Sequence, residues 1–201
     1  MEQLIFLDDE KAIDDGTCER SEIYDNAKKE VRDFLEENYI SSVEVLRGCV
    51  VDICRVLENL IPHDIRFSTP LYEAGTCSGE RVGKWLVEQF SLEEKSLKEI
   101  VCYSDVFISE FGFGQVKFLK GKDCNILRAK GGTFFAKEYG YVGAPVCYYF
   151  SGFIAGATKL LSGIGVTVKE VRCIAAGDHH CEFVIRPKGG NGGSKISLIH
   201  A

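Results

Sequence analysis

The sequence lacks the clustered basic side chains that a nucleic-acid-binding surface needs. Its 24 lysines and arginines are outnumbered by 30 aspartates and glutamates, which gives a net charge of −6, and they are dispersed among the acids. Because neutralising phosphates takes a concentrated positive patch, we expect no nucleic-acid partner. The hydrophobic content of 45% and the mean hydropathy of −0.02 instead predict a soluble globular chain with a sizeable core.

A secretory leader and a membrane-spanning helix are also missing. Residues 1–10 carry early acids and no basic start, unlike a signal peptide, so we expect a cytoplasmic protein whose nine cysteines are reduced. No charged residue lies between Glu138 and Lys159, but glycines interrupt this stretch. Because proline is best tolerated at a helix start, we predict a buried core helix from Pro145 to Leu161 and no membrane span.

The motifs that usually mark a catalytic centre are absent. The sequence has no GxSxG, no HExxH, no P-loop and no dinucleotide fingerprint. Gly152 and Gly156 lie on one face of the predicted core helix and indicate close packing there. A reductase would need a cofactor site that the sequence does not offer. We therefore expect no enzymatic activity, with an accessory role to a reductase left open.

Hydrophobic periodicity predicts an α+β fold, an antiparallel sheet packed with helices. Apolar residues recur at helical spacing from Tyr24 to Ile61 (weakened at Gly48) and from Gly75 to Phe90, with residues 63–74 extended or irregular. Ser91 and Glu94 form a capping-box pattern that would open a third helix. Strand patterns follow in two pairs, residues 116–118 with 124–129 and residues 166–174 with 180–186.

Composition divides the chain into three parts. Residues 1–22 are an acidic arm, residues 23–186 a single domain, and the glycine-rich residues 187–201 a flexible tail.

Two cysteines at the ends of the last predicted hairpin suggest a metal site. Cys173 and Cys181 flank seven residues, and strand pairing would bring their thiols together. Glu170 can join them only if its strand bulges, because the side-chain period of a strand is two. Cys147 or the adjacent His179 and His180 are further candidate ligands. On spacing alone, buried core thiols are the alternative.

The segments CYYFSGFIAG (147–156), EVRC (170–173) and GDHHCEF (177–183) resemble the 4-vinyl-reductase-type domain. The resemblance covers about residues 115–186, which would be the zinc-binding part. More weakly, residues 71–75 with Gly79 resemble the helix opening of the same superfamily. That superfamily includes the sensor domains of aromatic-responsive activators and the subunits of the vesicle-tethering TRAPP complex. The resemblance implies the ligand-binding fold that these proteins share.

The zinc-binding sensors of this family use three cysteines and one glutamate, which the resemblance carries to Cys147, Glu170, Cys173 and Cys181. Such a set implies a structural zinc, because it fills all four tetrahedral positions. It leaves His179 and His180 out of the metal shell.

The resemblance also implies a pocket for a small apolar or aromatic molecule, and the aromatic side chains of the second half supply candidates: Phe107, Phe134, Tyr139 and Tyr149. Phenol-sensing relatives hold their ligand with a histidine and a tryptophan, whereas no histidine lies here between His63 and His179. We therefore expect a more apolar ligand than phenol.

The functional prediction is a regulatory, non-catalytic sensor. It would form a homodimer through the N-terminal helical region and pass its signal to a protein partner. The alternatives are a TRAPP-like interaction scaffold and an accessory protein of a tetrapyrrole vinyl reductase.

Overall fold

The computed structural model describes residues 22–37, 68–110, 112–121 and 124–188. The helices in these ranges are α1 (Glu22–Glu37), α2 (Ser68–Phe90), α3 (Leu97–Glu110), α4 (Phe134–Tyr139) and α5 (Tyr148–Ser162). The strands are β1 (Gln115–Lys120), β2 (Asn125–Lys130), β3 (Val166–Arg172) and β4 (Cys181–Pro187). The predicted α+β class is confirmed. None of these helices is both long and apolar enough to cross a bilayer.

The four strands form one antiparallel sheet in the order β1-β2-β4-β3. The side chains of β4 alternate across it: Cys181, Phe183 and Ile185 are buried in the main core, while Glu182 pairs with Arg128 of β2. This alternation places Cys181 on the helix-covered face of the sheet.

Helices α2 and α5 pack backbone against backbone through glycines. A Cβ on Gly152 would lie 1.9 Å from the carbonyl oxygen of Tyr72, and one on Gly75 would lie 2.0 Å from that of Tyr149. No side chain larger than hydrogen fits at such contacts. The packing predicted for Gly152 is confirmed, and it fixes α5, which begins at the candidate metal centre.

A second core lies where α1 and α3 meet the end of α2. Phe34 of α1 contacts Trp85 with ring centroids 5.2 Å apart, and Tyr103 donates a hydrogen bond from its hydroxyl to Glu30. The helical pattern from residue 24 is confirmed as far as Glu37, and its remainder, through residue 61, lies outside the described residues.

Two helix starts differ from the sequence-based prediction. Helix α2 begins at Ser68, so the extended or irregular stretch predicted through residue 74 is wrong from Ser68 onward. Pro70 fits the first turn because its missing N–H needs no partner there. Helix α5 begins at Tyr148, three residues after Pro145, with Cys147 as its N-cap.

The capping-box principle was right but its register was wrong. Ser91 adopts a left-handed conformation (φ 48°) at the end of α2 and makes no side-chain cap bond. Ser96 and Glu99 form the reciprocal pair instead: the Ser96 N–H donates to Glu99 Oε2 at 2.8 Å, and the Glu99 N–H donates to Ser96 Oγ at 3.4 Å.

The expectation of reduced thiols is wrong at one described position. Cys77, Cys124, Cys147, Cys173 and Cys181 are free, whereas Cys102 is disulfide-bonded. All three cysteines of the predicted metal set are therefore available as ligands.

Candidate metal centre

Three cysteine sulfurs meet in a nearly equilateral triangle beneath α5. The Sγ atom of Cys147 lies 4.0 Å from those of both Cys173 and Cys181, and these two are 3.9 Å apart. All three residues are fully buried. Thiolates at corners of a tetrahedron with Zn–S bonds of about 2.3 Å would be separated by about 3.8 Å. The triangle therefore has the size that a zinc ion requires.

Glu170 completes a set of four donors. Its carboxylate and the three sulfurs have ligand atoms within 4.8 Å of one another. Oε2 accepts a hydrogen bond from the backbone N–H of Cys147 at 3.0 Å, but Oε1 is buried without a hydrogen-bond partner. An unpaired buried carboxylate oxygen costs free energy unless something positive approaches it. The donor set therefore fits a divalent cation.

A β-bulge brings Glu170 and Cys173 to the same side of β3. Glu170 pairs with Phe183 and Arg172 with Glu182, so two steps along β3 correspond to one step along β4. The extra residue reverses the alternation of β3. This is the irregularity that the spacing of Glu170 and Cys173 demanded.

The hairpin tip between β3 and β4 is tightly held. The Cys173 N–H donates to Asp178 Oδ2 at 2.8 Å. The carbonyl oxygen of Ala175 accepts from the N–H groups of Val142 and Gly143, both at 2.9 Å. These bonds join the tip to the segment that leads into Cys147, so the first ligand is positioned against the other three.

The four acidic groups perturb one another strongly. Burial, followed by the nearby charge of Cys173, raises the pKa of Glu170 to about 8, against opposing hydrogen bonds from Cys147. Burial is also the main cause that raises the pKa of Cys147 well above that of an ordinary thiol. Hydrogen bonds from Cys147 and Cys173 lower the pKa of Cys181 to about 4. A bound cation would favour the ionised form of all of them.

Thr133 is a part of this site that the sequence-based prediction missed. Its hydroxyl oxygen lies 3.0 Å from Cys147 Sγ, and the residue is fully buried. It is also the N-cap of α4, a six-residue helix too short to leave a periodic signal. The sequence signal was a threonine after Gly131 and Gly132, a typical helix opening.

The paired histidines lie beside the cluster without joining it. His180 Nε2 contacts Glu182 Oε2 at 3.3 Å, and His179 is exposed. Neither belongs to the group of four donors that the described residues bring together. This placement supports the prediction that they do not bind the metal.

The predicted pocket residues fall into two aromatic clusters. Phe134 and Tyr149 both contact Phe135, with centroids 4.1 and 5.5 Å apart, and Tyr139 packs against the same core. Phe107 belongs to the second core, where it contacts Trp85 at 5.7 Å. The structure thus brings three of the four candidates together and places Phe107 elsewhere.

A surface groove of about 480 Å³ lies between α1 and α3, but its character is polar. It is lined by Ile23, Asn26, Lys29, Glu30, Asp33, Lys95, Glu99 and Tyr103. Charged walls of both signs do not suit an apolar molecule. The apolar pocket stays a prediction.

Residues 131–187 match the family model of the vinyl-4-reductase domain, which confirms the resemblance over the part that carries all four candidate ligands. The chain is 28% identical over 65 residues to the phenol regulator MopR of Acinetobacter guillouiae. That alignment covers 32% of this chain and 12% of the regulator. The chain therefore spans only a small part of the length of this curated relative.

Two solved structures share the fold. The phenol-responsive sensory domain of the transcription activator PoxR, solved with phenol, superposes with a TM-score of 0.59 at 18% identity, over 70% of this chain and 74% of that chain. Trafficking protein particle complex subunit 3 from Naegleria fowleri, covalently bound to palmitic acid, superposes with a TM-score of 0.53 at 15% identity. That match covers 72% of this chain and 96% of the other.

Proposed function

We propose, from the family match and the buried cluster of four donors, that this chain is a zinc-stabilised, non-catalytic domain that binds a small apolar or aromatic molecule in a regulatory role. The observation that carries the zinc assignment is the unpartnered Oε1 of Glu170, on a carboxylate that lies beside three sulfurs about 4 Å apart. Three thiolates and one carboxylate leave no open position for substrate, which supports a structural ion.

The ion would fasten the β3–β4 hairpin to the start of α5. Cys147 caps α5, while Cys173 and Cys181 stand at the two ends of the hairpin tip. A cross-link between these elements stabilises the surface on which the aromatic cluster rests. Zinc in this position contributes to folding rather than to bond cleavage.

Metal analysis of freshly purified protein tests this assignment. We expect about one zinc per chain without added metal. A stoichiometry near zero in protein that has not met a chelator would overturn it.

Support for an apolar ligand comes from the aromatic core and from the two proteins of the same fold, one solved with phenol and one with palmitic acid. Phe113 stacks on Phe150 and Phe153, with centroids 5.3 and 5.1 Å apart, and reaches Phe134 at 5.2 Å. These rings form a continuous apolar surface beside the metal cluster. Such surfaces line small-molecule sites.

A thermal-shift screen of hydrocarbons, phenols and isoprenoid-like compounds, together with native mass spectrometry, tests ligand binding. A bound compound raises the melting temperature by mass action. If no compound shifts it and no small molecule copurifies, the scaffold interpretation replaces the sensor.

The proposed lining residues need a separate test. Phe134→Leu and Phe107→Leu each remove one buried ring, from different clusters. We expect Phe134→Leu to weaken ligand binding, and the Phe107 variant decides whether the pocket reaches the second core. Unchanged binding in both variants would refute the assignment of these two residues. The homodimer and the signalling partner stay predictions, and light scattering measures the former.

A further inference from the structure

Thr133 stands between β2 and α4 with its hydroxyl fully committed. Oγ1 accepts a hydrogen bond from the Ala136 N–H at 3.2 Å, which caps α4. A threonine hydroxyl has a single hydrogen, and Cys147 Sγ, 3.0 Å away, is positioned to receive it. The geometry therefore makes Thr133 the donor and the cysteine sulfur the acceptor, the arrangement that suits a thiolate.

The backbone at Thr133 reaches a second sulfur. The N–H groups of Thr133 and Ile174 both donate to Cys181. This approach depends on Gly132, which has φ +82° and where a Cβ would lie 2.3 Å from the Ile174 side chain. Thr133 thus touches two of the three sulfurs while starting the helix that carries Phe134.

We propose that Thr133 is a positioning residue of the metal centre, which holds Cys147 as an oriented thiolate and links metal occupancy to the placement of α4. The inference rests on the proposed zinc. Three thiolates and a carboxylate around a divalent ion leave a net charge of about −2, and hydrogen bonds to the sulfurs spread this charge. Because the same hydroxyl caps α4, a change in the sulfur is felt at the start of the aromatic cluster.

Replacing the hydroxyl tests the link to the metal. Thr133→Val removes the donor at similar volume, and we expect zinc affinity to fall about ten- to a hundredfold, as measured by competition with a chromophoric chelator. In Co²⁺-substituted protein, the thiolate-to-metal charge-transfer band should move to longer wavelength, because a sulfur that loses a hydrogen bond is a stronger donor. Thr133→Ser should restore both values.

A cap elsewhere separates metal effects from loss of helix capping. Ser96→Ala removes the N-cap interaction of α3, away from the four donors. It should lower the melting temperature without changing zinc affinity or the cobalt spectrum. A folded Thr133→Val protein with wild-type affinity and spectrum would overturn the proposal.

A measurement on the wild type covers the case in which Thr133→Val does not fold. In cadmium-substituted protein, NMR should detect scalar coupling from the metal to the Thr133 hydroxyl proton through Cys147 and to its amide proton through Cys181. Absence of both couplings in a metal-loaded protein refutes the role of Thr133 alone. Absence of metal binding in the wild type refutes the proposed zinc instead.

Discussion

Acidification should release the metal steeply, because the metal-free site holds protons that zinc must displace. Between pH 5 and 7, Glu170 with a pKa of about 8 is protonated, and so is Cys147, whose pKa burial raises further. Cys181, with a pKa of about 4, is already ionised. Glu170 and Cys147 thus release about two protons on binding, so the apparent zinc affinity should rise about a hundredfold per pH unit.

Chelator competition at several values between pH 5 and 7, corrected for protonation of the chelator, measures this slope. Calorimetry in buffers of different ionisation enthalpy counts the released protons independently. A slope of one or less would show that the site is not protonated as its burial requires.

A variant assigns one of the two protons to Glu170. Its Glu170→Gln form keeps a carbonyl oxygen that can accept from the Cys147 N–H, but it neither titrates in this range nor offers an anionic ligand. Its zinc affinity should fall, and its slope should decrease by about one. Glu182→Gln is the matched control, since Glu182 is equally buried (9% exposed) but pairs with Arg128 instead of the cluster. An unchanged slope in Glu170→Gln would contradict the assignment.

Three further changes separate the roles of individual positions. Cys181→Ser should lose zinc and much of its folding free energy, measured by metal analysis and denaturant unfolding; retained metal would remove Cys181 from the ligand set. Replacing both His179 and His180 by alanine should leave the zinc content unchanged, and a loss as large as that of Cys181→Ser would show a wrong fourth ligand. Gly152→Ala should cost about 1–3 kcal/mol or more, because its Cβ would lie 1.9 Å from a backbone carbonyl of α2. Gly83→Ala, which meets only a side chain at 3.1 Å, should cost less by thermal denaturation.

Much of the fold follows from local patterns in the sequence. The two hairpins, the end of α5 at Gly163 and the stop of α3 before residues 111–114 each follow from short-range signals, periodicity or glycine. The spacing of Glu170 and Cys173 even required a bulge, and β3 contains it. The identity of the four candidate ligands came from a family resemblance, because separation along the chain does not reveal distance in space.

Other features depend on contacts that the sequence does not display. The first half of α2 carries glycines and threonines rather than an apolar stripe, because it packs by backbone against α5, and a pattern of side chains cannot reveal such an interface. Ser91 and Ser96 offer the same local capping motif, and only the path of the chain after α2 selects Ser96.

By itself, the sequence determined the class of fold, the hairpin that carries two thiols and the unusual density of aromatic residues. Only the tertiary structure decided that the three sulfurs lie about 4 Å apart, that Oε1 of Glu170 has no partner, and that Thr133 contacts Cys147. It also separated Phe107 from Phe134 and Tyr149. The reason is physical: periodicity reports which face of an element is apolar, whereas a ligand set or a pocket depends on how distant elements pack together.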